Sequence, residues 1–318
     1  MEKVNVGLIG AGGMANSVHY PSLVEFDDVN MAALCDLVPE KLKATAEQFK
    51  IDNTFTDYKK MVEEVDLDAI YILMPPHHLF DLVVHCLSQK LHVFIEKPPG
   101  VTVHQIKSMA SLAEKNGCKT MVAFNRRFIP LMLQVREIVE EKGPIIQCMA
   151  TFHKNQPDAL YYNGAIDVLS CDSVHAVDIM RWMGGEVKSL ASDINNFYSE
   201  QENSFNALMK FENGGSGFLC TNWAVGARIH SFEMHARGIS AFISPDPDGC
   251  AEILEDSSKR TITPAEAAGS EEQHKAYGFY GENRHFIDCI LQDKEPETCF
   301  SDAVKTMELV QCIYANRL

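Results

Sequence analysis

The 318-residue chain has no C-x-x-C pair, no H-E-x-x-H segment and no G-x-S-x-G elbow. The first two absences remove the common zinc spacings. Its twelve histidines cluster nowhere beyond His77-His78, so no metal site is expected. The third absence removes the strained serine turn of the α/β-hydrolases. No apolar run approaches the roughly 18–20 residues that a membrane span needs. The opening stretch, Met1 to Gly10, lacks the apolar core and small-residue cleavage site of a signal peptide. Neither a membrane partner nor export is expected. Basic residues are also scarce, 28 Lys and Arg against 44 Asp and Glu, for a formal net charge of −16. Such a balance repels a phosphate backbone and no basic stripe offsets it, which excludes nucleic acid as an expected partner. The ten cysteines run singly from Cys35 to Cys312. Scattered thiols in a chain this long read as reduced core residues, and hence as a cytoplasmic protein.

What is present is an ordinary globular mixture, 46% hydrophobic and 23% charged, in a chain long enough for two domains. Residues 1–125 alternate short apolar runs with helical segments. Val4–Ile9, Val29–Cys35, Ala69–Met74, His92–Ile95 and Lys119–Phe124 read as strands, nearly continuous in Val, Ile, Leu and Ala. Helices are expected near Met14–Glu25, Pro39–Lys50, Asp57–Glu64, His78–Gln89 and Val103–Asn116. That alternation predicts an α/β fold, a doubly wound parallel sheet covered on both faces. Residues 126–318 read differently. Helices are expected near Phe128–Glu141, Asp167–Met183, Phe279–Leu291 and Ser301–Asn316, and strands near Ile145–His153, Val187–Asn195, Asn203–Phe211, Ser216–Trp223, Ile229–Ala236 and Ile239–Ile243. Asn213-Gly214 is a hairpin signal. This half is expected to be an α+β domain with a mostly antiparallel open sheet, its C-terminal helix free to pack back on the first domain.

Gly10-Ala11-Gly12-Gly13-Met14-Ala15 follows a strand and opens a helix, the pattern G-x-G-x-x-A. The first glycine permits a tight turn, the second removes a Cβ that would block a pyrophosphate, and the small sixth residue lets helix and strand pack closely. Gly10, Ala11, Gly12, Gly13 and Met14 are therefore expected to bind a dinucleotide. Asp36 ends the next strand about 20 residues on, where an acid meets the ribose hydroxyls and repels a 2′-phosphate. NAD is expected in preference to NADP. The same aspartate could equally brace the turn before Pro39. Lys97, in Glu96-Lys97-Pro98-Pro99-Gly100, stands just past the His92–Ile95 strand, on the edge where ligands of open α/β sheets bind. A lysine there can polarise a carbonyl or steady an alkoxide; as a solvated Glu-Lys pair it would do neither.

Together these segments resemble the Gfo/Idh/MocA family of oxidoreductases, glucose-fructose oxidoreductase and inositol dehydrogenase among them, and the likeness spans essentially the whole chain. It is carried by the glycine turn with His19, by Pro75-Pro76-His77-His78, by Glu96-Lys97-Pro98 and by Phe124-Asn125-Arg126-Arg127-Phe128. The Glu-Lys-Pro triplet is the specific element. The resemblance implies that Lys97 is catalytic and that its bond to Pro98 is often cis. It also implies that Met74, Pro75, His78, Glu96, Lys97 and Asn125 help seat the cofactor. His77 is read as solvent-facing.

Asp172 and His175 are three apart on the Asp167–Met183 helix and share a face. A histidine carries protons at neutral pH, and a neighbouring carboxylate can orient it. The resemblance extends through His175-Ala176-Val177-Asp178-Ile179-Met180-Arg181-Trp182, although relatives usually place the aspartate four residues before the histidine, where this chain has Cys171. Lys97, His175 and Asp172 are thus the expected catalytic residues, and His153, Tyr161 and Tyr162 are expected to contact substrate. Asp178 and Arg181 are read as a structural i,i+3 pair. The expected activity is hydride transfer between a nicotinamide and a hydroxyl or carbonyl carbon of a sugar, inositol or related polyol. Alternatives are a catalytically silent NAD-binding sensor on the same fold and an NAD-dependent redox glycosidase. An antiparallel sheet with one open face suggests a homo-oligomer, a dimer or tetramer.

Overall fold

The computed structural model describes residues 3–318, which form two compact units. One comprises residues up to Ala123 together with Phe279–Val304; the other comprises Phe124–Gly278 with Lys305–Leu318. Among the described residues no helix is long and apolar enough to cross a membrane.

The first unit is built on a six-stranded parallel sheet in the order β3-β2-β1-β4-β5-β6. The strands are β1 (Val4–Ile9), β2 (Val29–Cys35), β3 (Thr54–Phe55), β4 (Ala69–Ile72), β5 (His92–Ile95) and β6 (Thr120–Val122). Every residue of β4 is buried, as are Val93, Phe94 and Ile95 of β5, because helices must cover both faces of a parallel sheet. The strand order reverses between β1 and β4, with β2 and β3 added on one side and β4 to β6 on the other. Such a switch point opens a crevice at the carboxyl ends of the strands. The edge strand β6 is closed by Thr298, whose carbonyl accepts from Val122 N–H at 2.9 Å and whose hydroxyl donates to Val122 O at 2.7 Å. α1 (Tyr20–Val24), α2 (Pro39–Phe49), α3 (Tyr58–Glu64), α4 (Leu79–Ser88) and α5 (Val103–Asn116) connect the strands. The last begins with a capping box, Thr102 with Gln105, and ends at a left-handed Gly117.

The second unit holds an eight-stranded sheet in the order β14-β13-β12-β11-β7-β10-β9-β8. Its strands are β7 (Gln147–Asn155), β8 (Val187–Asn195), β9 (Ser204–Phe211), β10 (Ser216–Asn222), β11 (Ala224–Ala236), β12 (Ile239–Ile243), β13 (Ala251–Glu255) and β14 (Ser258–Ile262). All neighbours run antiparallel except β7 and β10. The helices of this unit include α6 (Pro130–Glu140) and α7 (Val174–Gly184), and every residue of α7 is buried.

Three local departures from the sequence expectation have physical causes. The helix after the glycine turn is not uniform: Ala15–His19 is a π-helical turn that runs into α1. The same occurs before α7, where Leu169–Ser173 is π-helical. π turns recur at functional sites, where they re-aim side chains. β13 and β14 escape sequence pattern because Ser258 to Arg260 are polar and Thr261 is exposed, so no alternation marks the edge strand.

Close packing of α7 on β9 rests on Gly184. A Cβ there would lie 2.2 Å from the Phe211 ring, whereas one on Gly226 would meet nothing within 4 Å. Gly184→Ala is expected to destabilise by about 1–3 kcal/mol, as overpacked cores do. Urea denaturation should show this loss while Gly226→Ala leaves the midpoint within experimental scatter.

Candidate active site

In the first unit, Gly10 sits where the turns after β1 and β4 touch. Its φ is +107°, and a Cβ would fall 2.6 Å from the Leu73 carbonyl oxygen and 3.3 Å from Met74 Sδ. Only glycine tolerates both demands. Beyond it, Cβ atoms on Gly12 or Gly13 would meet nothing within 4 Å, so the turn faces open space. The turn is fixed from behind. Tyr20 donates to Gly10 O at 2.5 Å, and Asn16 Nδ2 donates to the carbonyls of Ala11 and Gly12 at 3.0 Å each. Burial pushes the Tyr20 phenol well up, and Asp36 adds to the effect, so this hydroxyl stays a donor. Asp36 braces the same turn: Oδ2 accepts from Ala11 N–H at 2.7 Å and Oδ1 from Val38 N–H at 2.8 Å. A carboxylate has about four acceptor positions, so this bracing leaves capacity for ribose hydroxyls. An open glycine turn at a helix start, with an acid at the next strand end, fits the diphosphate and ribose of a dinucleotide.

At the end of β5, Glu96 is held on both oxygens. Oε1 lies 3.0 Å from His19 Nε2, and Oε2 accepts from Lys97 N–H at 3.0 Å. His19 is wholly buried, edge-on to Phe94 and Phe279, and its Nδ1 is 3.1 Å from Asn283 Nδ2. Lys97 is half-buried and its bond to Pro98 is cis. Met74 and Pro75 are half-buried after β4, while His77 and His78 are exposed on the short turn that follows, rings 4.1 Å apart. Met14 is exposed at the helix start.

In the second unit a polar cluster gathers around the buried Phe152 of β7. His230 stacks on its ring at 3.7 Å, the Arg126 guanidinium carbon lies 4.9 Å from its centroid, Lys154 Nζ 5.9 Å and the His175 ring 6.5 Å. Asp172 Oδ2 accepts from Tyr161 OH at 2.7 Å and from Lys154 Nζ. Burial, then the Asp172 charge, raises the Tyr161 phenol, so it remains a hydroxyl donor. His175 is buried on α7.

Strand alternation separates two neighbours on β7. Phe152 and Lys154 share a face and His153 takes the other, so Lys154 is the residue that reaches Asp172. Tyr162 is exposed in a left-handed turn with Asn163, and Asn125 is buried with its amide donating to Tyr277 O at 2.9 Å. Asp178 and Arg181 sit in a buried network. Asp178 takes a two-pronged pair from Arg127 at 2.5 and 2.7 Å, Arg181 pairs with Glu186 at 2.9 Å, and Thr306 Oγ1 bonds both. Lys154 and His230 are not singled out by sequence, and Arg126 enters there only as part of the Phe124–Phe128 segment, with no role of its own. The pleat of β7 could have flagged Lys154, two residues from a core phenylalanine.

A family model described as "Oxidoreductase family, NAD-binding Rossmann fold" matches residues 4–124, and the "GFO/IDH/MocA C-terminal domain" model matches residues 132–238. The chain belongs to the Gfo/Idh/MocA oxidoreductase family. Within it, a myo-inositol 2-dehydrogenase from Thermotoga maritima is 26% identical over 60% of this chain and 58% of its own length. A D-apiose dehydrogenase from Paraburkholderia graminis is 24% identical over 97% of this chain and 86% of its own. The chain spans 67, 58, 56 and 59% of the length of four aligned relatives, the inositol enzyme being the second of them. A levoglucosan dehydrogenase solved with NADH and levoglucosan shares the fold, with a TM-score of 0.85 over 99% of this chain and 97% of that one at 19% identity.

In this family member, His230 is a buried imidazole among cations. Burial first, then Arg126, Arg228 and Lys154, push it down to about 2, and its Nδ1 lies 2.8 Å from Arg228 Nη2. It is therefore neutral and accepts from Arg228. Unfolded chain takes up this proton near pH ~6.5. Between about 6.5 and about 2 the unfolded state binds more protons, so this residue makes stability fall as pH drops through that window. Its ring resonances in NMR should stay at the neutral position from about pH 8 to about pH 5, where an ordinary histidine titrates. A midpoint near 6.5 would contradict the burial and charge assignment.

Proposed function

We propose that this protein is an NAD-dependent dehydrogenase or reductase acting on the CH–OH groups of a sugar, inositol or related polyol. The observation that carries the reading is the end of β5, where a Glu96 gripped by His19 and by the Lys97 amide fixes the backbone from which Lys97 projects. Family membership supplies the reaction class. Gly10, Ala11, Gly12, Gly13 and Met14 would hold the diphosphate and Asp36 the ribose hydroxyls, with Met74, Pro75, His78, Glu96 and Asn125 seating the remainder. The Asp36 carboxylate favours NAD, since a 2′-phosphate beside it would be repelled. When bound, the nicotinamide supplies or takes up a hydride at the substrate carbon.

The chain's own groups manage the oxygen. Lys97 Nζ would hydrogen-bond it and stabilise developing negative charge, a charge-assisted contact stronger than a neutral one. An imidazole nitrogen of His175 would accept the hydroxyl proton on oxidation and return it on reduction. Asp172, with Tyr161 and Lys154, would orient that imidazole and hold substrate hydroxyls, whereas His153, on the other face of β7, and the exposed Tyr162 would take no part. All ten cysteines are free thiols, in keeping with a reducing, cytoplasmic setting.

A screen of sugars and inositols with NAD+, following reduced-cofactor absorbance, should find turnover, and slower turnover with NADP+. Lys97→Ala should lower kcat by about 10²–10⁴-fold, the span typical of a group handling a proton or developing charge. NADH binding, read by fluorescence, should persist in that variant. Cofactor binding without turnover across the screen would instead favour a silent sensor.

We also infer a homo-oligomer, a dimer or tetramer, through the face of the second unit's sheet that carries Leu208, Phe242 and Leu254, which are 55, 38 and 40% exposed. Pairing register places Leu208, Phe218, Met149, Glu233 and Phe242 along that one face, so the apolar residues are joined across a single carboxylate. Large apolar side chains exposed on a sheet face and rimmed by charge mark association sites. Light scattering should give a multiple of 35.5 kDa, and Leu208→Glu with Phe242→Glu should reduce it to one chain. A monomeric parent protein would overturn the inference.

A further inference from the structure

The cluster around Phe152 contains one cation too many. Lys154 is paired with Asp172, and Arg228 with Asp246 at 2.6 Å. Arg126 has no ion pair among the described residues. It is 6% exposed, its Nη1 is 3.4 Å from the neutral Asn125 Oδ1, and its buried Nε has no hydrogen-bond partner. The guanidinium is instead sandwiched by rings, 4.9 Å from the Phe152 centroid and 5.8 Å from that of Tyr277. With Lys154 and the more exposed Arg228 each matched to a carboxylate, the buried Arg126 charge is left without a counter-charge of its own, in a chain whose net charge is −16. A guanidinium stays charged when buried, and a buried charge without a counter-charge costs several kcal/mol.

We propose that Arg126 is a specificity residue that receives a carboxylate carried by the substrate, so that the protein acts on a hydroxylated acid, such as an aldonate or uronate, in preference to the neutral sugar. The inference rests on the oxidoreductase reading for the group that reacts, and adds the charge of the molecule that bears it. Guanidinium geometry suits oxyanions, which it grips through two parallel N–H bonds. The excess of a single positive charge selects a monoanionic carboxylate over a phosphate monoester, whose charge at neutral pH is nearer −2. Phe152 connects this anchor to the groups proposed for chemistry, since its ring is within 4.9 Å of Arg126 and 6.5 Å of His175. An acid held at Arg126 would keep its hydroxyls among Tyr161, Lys154 and His175. His230, neutral and accepting from Arg228, adds no competing charge.

The test uses matched pairs on the NAD-loaded full chain: D-glucuronate against D-glucose, D-gluconate against D-glucitol, and D-glucose 6-phosphate as the phosphate arm. Initial rates and isothermal titration onto the NADH-loaded protein are read together. Each acid is expected to exceed its neutral partner in kcat/KM or in affinity by about 30-fold or more, the usual loss when one side of a buried charge pair is missing. Arg126→Met should collapse that ratio toward one, and Arg126→Lys should restore part of it, with circular dichroism confirming that both variants fold. Equal treatment of acid and neutral partner, preference for the phosphate, absence of binding by either acid, or a ratio unmoved in Arg126→Met would each overturn the proposal. The two readings fail separately. Neutral sugars oxidised as well as acids would leave the oxidoreductase standing and remove the carboxylate site. Arg126-dependent acid binding with no turnover of any compound would do the reverse.

Discussion

A carboxylate at the end of a parallel strand organises the first unit. Glu96 is largely withdrawn from water, and a withdrawn carboxylate must be hydrogen-bonded or lose its charge. His19 and the Lys97 amide meet that demand on opposite oxygens. Because His19 belongs to the π turn following the glycine loop, the contact ties the glycine turn after β1 to the strand end of β5. His19 is in turn clasped by Phe94, Phe279 and Asn283. The glycine turn and the lysine-bearing turn are thereby parts of one hydrogen-bonded frame.

The same economy of contacts governs the second unit. α7 is buried along its whole length, so its polar residues need internal partners. Asp178 and Arg181 find theirs in Arg127, Glu186 and Thr306, which fixes the helix rigidly. Breaking one partner of such a buried pair typically costs about 3–5 kcal/mol. That rigidity lets the preceding π turn carry Asp172 into the Phe152 cluster, where Lys154 and Tyr161 share its Oδ2. The aspartate's shift by one residue from its usual place in relatives thus coincides with a change of helix type, and not with loss of its polar surroundings.

Much of this was legible in the sequence. The bounds of β1, β2 and β5 are legible to the residue, because strands of a covered parallel sheet are nearly continuous apolar runs and glycine or charge follows each one. The glycine turn was legible because Gly10 answers a local need, a positive φ at a close backbone crossing. The cluster around Phe152 was not. Arg126, Lys154, Asp172 and His230 come from four separate segments, and the pleat of β7 decides that Lys154 rather than His153 faces Asp172 of the π turn before α7. The π turns were equally hidden, since residues 169–173 carry a helical pattern that suits either winding. The partners of Asp178 and Arg181 lie 51 and 125 residues away in Arg127 and Thr306, beyond the reach of any spacing rule.

The account's central claim is that the frame built on Glu96 aims the Lys97 ammonium at the reacting oxygen beside bound cofactor. A crystal structure of the full chain soaked with NADH and a compound found to bind would test it most directly. The claim predicts the diphosphate on Gly10–Gly13 and Lys97 Nζ within hydrogen-bonding distance of a substrate oxygen. A cofactor seated away from that turn, or Nζ directed into bulk water with substrate in place, would contradict it.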